Sequence, residues 1–384
     1  SDVYKRQVIL ASMIIRPAKH LYKCVTGIAV GILLVSSLLA PTAANAAPTS
    51  HTVTPVHVTN WRDEESVKAG KDSLTALHNA IAKLPVEPHW GKHDIDASTS
   101  TDPSEVTSIA PPVVQELIDT INPLSAGKPN YVAVGDSWPG SSLIGTIRMD
   151  PCWRNRLGYP EMIAVGTKLS LRNTSCAGAG LNSYWLHSRL VRTSADKKTG
   201  IYKSPMRDAI DEDTRLATIQ LGLNEFLRLF CWYDRLHGRT EMQCTSAIHA
   251  RFRTVEPYLE AVYEGIYKDA VRRSHPSAKI VAVGYNQMFN GGGPCWDGII
   301  LGFQTRKLVD ELIVSLNNAA RNAAERAHIP YYQVGEGENT LLRSACGIPY
   351  YRYIAGYAIV EGSEMLHPTI RWHIELARHI VKTY

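Results

Sequence analysis

Four short segments of the chain carry residue types suited to nucleophilic chemistry, and each borders a regular element. Gly135-Asp136-Ser137-Trp138 comes directly after the apolar, β-branched run at 131–134. A serine at a strand-to-helix turn is held out of its sheet with its backbone N–H beside its hydroxyl, so it can attack a carbonyl and help bind the resulting oxyanion. Cys176-Ala177-Gly178-Ala179 lies just past a second strand-like run, and a glycine there lets backbone approach a ligand closely and donate an N–H. Gly222-Leu223-Asn224-Glu225 follows a third run. Its asparagine offers a neutral NH₂ donor to an oxyanion, and is equally a good helix N-cap. Glu364-Met365-Leu366-His367-Pro368-Thr369 precedes the last helical pattern. A histidine fixed by a following proline, with a carboxylate three residues earlier, suits a general base oriented by an acceptor. Singly these are weak signals: Gly-Asp-Ser arises by chance in about one chain in ten of this length, and all three residues form turns. Their conjunction in this order is what carries weight.

The elements that must position them are legible from residue 131 onward. Short β-branched runs at 131–134, 169–174, 216–221, 279–283 and 331–334 alternate with helical patterns. Ile248, Phe252, Val255, Leu259, Val262, Ile266 and Ala270 keep the helical period, as do Leu308, Val309, Leu312, Ile313, Leu316, Ala320 and Ala324. A closing helix is expected over 369–381. Strands alternating with helices predict an α/β fold with a mainly parallel sheet covered on both faces, where chemistry collects at the carboxyl ends of the strands. Three of the four segments fall there, and the fourth lies in the loop before the closing helix.

Upstream, residues 1–46 read as a few leading residues and a secretory signal peptide. Lys19 and Lys23 precede an apolar run at 25–39, and Ala44-Asn45-Ala46 is a small-x-small cleavage site. The run is shorter than the roughly 20 residues a bilayer requires, so no stable membrane span is expected after cleavage. Cleavage removes most of the net charge of +5, which leaves no electrostatic case for nucleic acid. Residues 47–130 are polar and proline-punctuated, with helical patterns at Leu74, Leu77, Ile81 and Leu84 and at Val113, Val114, Leu117 and Ile121. They read as a partly ordered, partly helical extension that packs against or tethers the main domain, residues 131–384. Six of the seven cysteines (Cys152, Cys176, Cys231, Cys244, Cys295 and Cys346) lie beyond the signal. An even number in an exported chain points to disulfides, with 15 possible pairings. No C-x-x-C or H-E-x-x-H occurs, so neither a metal nor an organic cofactor is expected.

With these four blocks in order, residues 131–384 resemble the SGNH (GDSL) hydrolase superfamily. Its blocks are a Gly-Asp-Ser nucleophile turn, a block-two glycine, a Gly-x-Asn-Asp turn and an Asp-x-x-His near the C-terminus. The cysteine layout is similar to that of its secreted actinobacterial lipase and esterase branch. The resemblance implies a three-layer α/β/α, flavodoxin-like fold with a five-stranded, mainly parallel sheet. It also implies sequential disulfides Cys152–Cys176, Cys231–Cys244 and Cys295–Cys346. Ser137 would be the nucleophile and His367 its base, with the oxyanion held by Ser137, Gly178 and Asn224. Two positions depart from the pattern: Glu225 and Glu364 stand where the family has aspartate. Glu364 is either a longer third member or the residue whose backbone carbonyl orients His367, and its extra methylene favours the carbonyl.

The implied activity is that of a secreted, monomeric carboxylic ester hydrolase of lipase or esterase type, its partner an ester substrate. Trp138, Trp232 and Trp296 either line an acyl pocket or pack in core and surface. A glycan deacetylase and a non-catalytic surface-binding protein on the same scaffold are the alternatives.

Overall fold

In the computed structural model, residues 61–84, 129–140, 152, 154, 157–186, 188–190, 201–225, 238, 240–295, 301–349, 351–356 and 366–384 are described. The signal-peptide segment, the helical pattern at 113–121, Cys231, Trp232, Trp296 and Glu364 lie outside them. The strands are β1 (Tyr131–Gly135), β2 (Leu171–Asn173), β3 (Ser188–Leu190), β4 (Ile201–Lys203), β5 (Leu216–Gln220), β6 (Lys279–Val283) and β7 (Tyr331–Tyr332). The helices are α1 (Trp61–Ala82), α2 (Ser137–Gly140), α3 (Tyr159–Thr167), α4 (Asn182–Trp185), α5 (Glu241–Arg273), α6 (Phe303–Arg326), α7 (Thr340–Arg343) and α8 (Ile370–Thr383).

Five strands form one parallel sheet in the order β2-β1-β5-β6-β7, while β3 and β4 make a separate antiparallel ribbon. Each of the five strands falls on a run expected from the sequence. Every residue of β1 and of β5 is buried. A strand buried at each position needs cover on both faces, which is why these runs are mostly apolar rather than alternating, and the polar Thr218 and Gln220 of β5 are hydrogen-bonded to Tyr131 and to the Gly284 carbonyl. Helices α5 and α6 pack on one another, and α3 and α8 form a second pair, giving the expected three layers. Thr240 and Gln243 close a capping box at the start of α5, and Thr369 is the N-cap residue of α8.

The described residues all belong to one unit, Val53–Tyr384. Within it α1 docks on α5 through Val67, Leu74 and Leu77, which recur on one helical face and are buried. The two backbones nearly touch: a Cβ on Gly70 would stand 2.7 Å from the Gly265 Cα, and the reverse holds equally. Only glycine permits so close a crossing. Lys268 reaches Ser66 at 3.0 Å and Arg272 reaches Glu64 at 3.4 Å. Among the described residues no helix is long and apolar enough to cross a membrane.

The bonded cysteine pairs are Cys152–Cys176 and Cys295–Cys346. Both are pairs that the resemblance implied. Cys244 is also disulfide-bonded, to a partner outside the described residues.

Candidate active site

In a sheet of this order the direction of winding reverses between β1 and β5, and the crevice outside their carboxyl ends is where ligands bind in such folds. Ser137 leaves the end of β1 and Asn224 leaves the end of β5, so the two flank that crevice. Gly135 is required by close packing. A Cβ there would stand 2.2 Å from the Pro139 ring and 2.8 Å from the Gln220 carbonyl. Without it the chain turns at once into α2, burying Asp136, Trp138, Pro139 and Gly140 and leaving Ser137 partly exposed.

Asp136 is what fixes that turn. Its Oδ1 accepts the Trp138 N–H at 2.9 Å and its Oδ2 accepts the Tyr285 hydroxyl at 2.7 Å. Complete burial pushes this carboxyl up to about 6, against the opposing pull of those two donors and of His367. Tyr285 is itself clamped by Asn317 of α6, which bonds its N–H at 2.9 Å and its carbonyl at 2.7 Å. Trp138 was a candidate pocket residue, and here the expectation is corrected. Only 1% of it is exposed, edge-on to Tyr285 at 5.0 Å and to Trp372 at 5.4 Å, so it supports the turn from within the core.

His367 arrives from the other end of the chain. Its Nε2 lies 2.9 Å from the Ser137 Oγ. Leu366, at φ +57°, turns the backbone, and the segment then pairs with residues 353–355. The Ala355 N–H donates to the His367 carbonyl, the Leu366 N–H to the Ala355 carbonyl, and Ile354 bridges Pro368. Beneath them the fully buried Arg352 donates to the Ala345 carbonyl at 2.7 Å, next to Cys346. Nothing in the sequence pattern marked residues 352–355 as the brace of the histidine.

The Asn224 side chain donates to the Ala179 carbonyl at 2.9 Å, which ties the end of β5 to the loop after β2 and leaves the second amide hydrogen for a ligand. Gly178 sits in that loop at φ +85°. Glu225 does not reach toward the serine. Its Oε1 accepts the Leu181 N–H at 2.7 Å and occupies the space a Cβ on Gly180 would need. The methylene that distinguishes it from aspartate lets it span to that loop. His373, one turn into α8, is a different kind of histidine. Burial drives its imidazole down to about 3, and its Nδ1 accepts the Tyr159 N–H at 3.3 Å, so it is a neutral structural group. Among the described residues no group of three or more His, Cys, Asp or Glu side chains is placed to hold a metal.

A lipase from Streptomyces rimosus is 24% identical to this chain over 249 residues, 62% of the chain and 76% of that protein. Among solved structures, the extracellular lipase of Streptomyces rimosus matches 66% of the chain and 97% of its own length, at 20% identity and a TM-score of 0.46. Phospholipase A1 from Streptomyces albidoflavus NA297 matches 67% and 99%, at 18% identity and a TM-score of 0.49. No family model matches. The sheet order, the three blocks at its strand ends and the disulfides agree with the fold expected of an SGNH hydrolase, and the chain is similar to a curated Streptomyces lipase.

Proposed function

We propose that this chain is a secreted lipase- or esterase-type serine hydrolase working through a Ser137–His367 acyl-enzyme. The observation that carries the reading is the 2.9 Å contact between His367 Nε2 and Ser137 Oγ. With the ring proton on Nδ1, Nε2 accepts the serine proton as Oγ attacks the ester carbonyl. The oxyanion is held by the Ser137 and Gly178 N–H groups and the Asn224 amide. Collapse expels the alcohol, which takes its proton from His367. Water, activated by the same histidine, then releases the acid. The Glu364 carbonyl or carboxylate orients the ring from its far side. Residues 1–46 supply export, in keeping with disulfides that persist in oxidising compartments. The substrate is a lipid or medium-chain ester. Incubation with a fluorophosphonate probe tests the reading. Labelling should map to Ser137 and vanish in Ser137→Ala, which should also lose p-nitrophenyl butyrate hydrolysis by more than about a thousandfold. Labelling elsewhere, or activity within about tenfold of wild type, would overturn it.

A further inference from the structure

One cavity is lined by none of the residues of the candidate active site. An open cleft of about 210 Å³ is bounded by α6, the segment after β6 and the loop after β7. Two arginines form its walls. Arg321 stacks over the Tyr331 ring at 4.8 Å and pairs with Glu336, and Arg343 stacks over the Tyr353 ring at 4.6 Å and pairs with Glu338 at 2.5 Å. Between them stand the side-chain amides of Gln287, Asn318 and Gln333, and Val314 is the one aliphatic side chain in the lining. Among the described residues the Gln287 and Asn318 amides bond no protein group, and Gln333 uses only its Oε1, for Asn317 and Tyr331.

This chemistry selects one kind of ligand. A phosphate or carboxylate would have to draw an arginine off its glutamate while facing two other negative groups. A cation meets the mirror-image problem, and an apolar group would strip water from the lining amides and charges without replacing its hydrogen bonds. A neutral molecule with adjacent hydroxyls fits, because each hydroxyl both donates and accepts, and planar amide, guanidinium and carboxylate groups offer both functions side by side. The arginines are already fixed by stacking and pairing, so little conformational freedom is lost when a ligand arrives.

The cleft also shares its walls with the supports of the catalytic pair. Asn286, at its floor, accepts the Trp372 indole N–H at 2.6 Å, and Trp372 packs on Trp138 beside Ser137. The Arg343 carbonyl accepts the N–H groups of Tyr353 and Ile354, the segment that braces His367. We propose that this cleft is a binding subsite for a neutral, hydroxyl-rich ligand, a saccharide or sugar headgroup. Binding there is independent of the ester-hydrolase reading, and only the choice between free sugar and headgroup rests on it.

Calorimetric titration of the full chain with xylotriose and methyl β-galactoside, against inorganic phosphate, tests the site without using activity. At least one sugar should saturate with a Kd of about 1 mM, and the double variant Gln287→Leu/Asn318→Leu should weaken it at least tenfold. Both positions are at least partly exposed, so the variant retains its fold. No saturation by either sugar to about 50 mM, undiminished binding in the variant, or tighter binding of phosphate would overturn the proposal. Hydrolysis of monogalactosyl diacylglycerol and of plain diacylglycerol then separates the sources. A lower KM for the galactolipid, lost in the variant, assigns the site to a headgroup, and equal KM values with sugar binding intact assign it to a free saccharide. Loss of all hydrolysis with sugar binding intact would overturn the ester-hydrolase reading and leave the subsite standing.

Discussion

Replacing Asp136 by asparagine should make the protein more stable at high pH than at low, relative to the wild type. The Asp136 carboxyl is buried completely and rises from 3.8 to about 6 on folding. Between those values the folded protein keeps a proton that the unfolded chain has lost. Stability therefore falls as pH rises through that window, and the deficit persists above it. The interval corresponds to about 3 kcal/mol, of which about 2 to 3 kcal/mol falls between about pH 4 and about pH 8. Asparagine has nearly the same shape, keeps an acceptor for the Trp138 N–H and carries no charge. Whatever its NH₂ costs against the Tyr285 hydroxyl is the same at both pH values and cancels in the difference. Urea unfolding of both proteins at the two pH values measures it directly. The variant should gain about 2 to 3 kcal/mol on wild type between the acid and the alkaline measurement, or about 5–10 °C in melting temperature for a domain of this size. Parallel stability curves for the two proteins would mean that Asp136 ionises in the fold as it does in water, and would refute the reasoning.

Three further outcomes are expected. Asn224→Ala should cut kcat by about 10²–10³ with KM little changed, since an oxyanion donor acts in the transition state; a kcat within threefold of wild type would remove Asn224 from that role. Glu364→Gln should cost under about tenfold in kcat if the backbone carbonyl orients His367, whereas a loss near a thousandfold, with stability unchanged, would assign the role to the carboxylate. Gly70→Ala forces α1 and α5 apart and should destabilise by about 1–3 kcal/mol while the folded enzyme hydrolyses p-nitrophenyl butyrate normally. An unshifted melting temperature would show that α1 does not dock there.

The sequence by itself determined the five strand runs, the long helices α5, α6 and α8, and the four segments of the candidate site. Each of these is written locally: β-branched runs set strands, helical periodicity sets helices, and a serine, an asparagine or a histidine next to a strand end or a proline declares itself within a few residues. The helical spacing of Leu74 and Leu77 likewise announced α1. What the sequence left open was every relation between distant residues. Whether Trp138 lines a pocket or fills the core turned on Tyr285 and Trp372, 147 and 234 positions further on. The contact between Ser137 and His367 spans 230 positions and exists because residues 352–355 pair with the histidine segment. Glu225 looked like a flawed aspartate until its carboxylate met the Leu181 N–H. Asp136 read as a turn former, yet it is a buried acid whose proton affinity is set by burial and by donors on other elements. Tertiary structure decided these matters because burial and hydrogen-bond partnership depend on which segments meet in space, and neither periodicity nor motif spacing encodes that meeting.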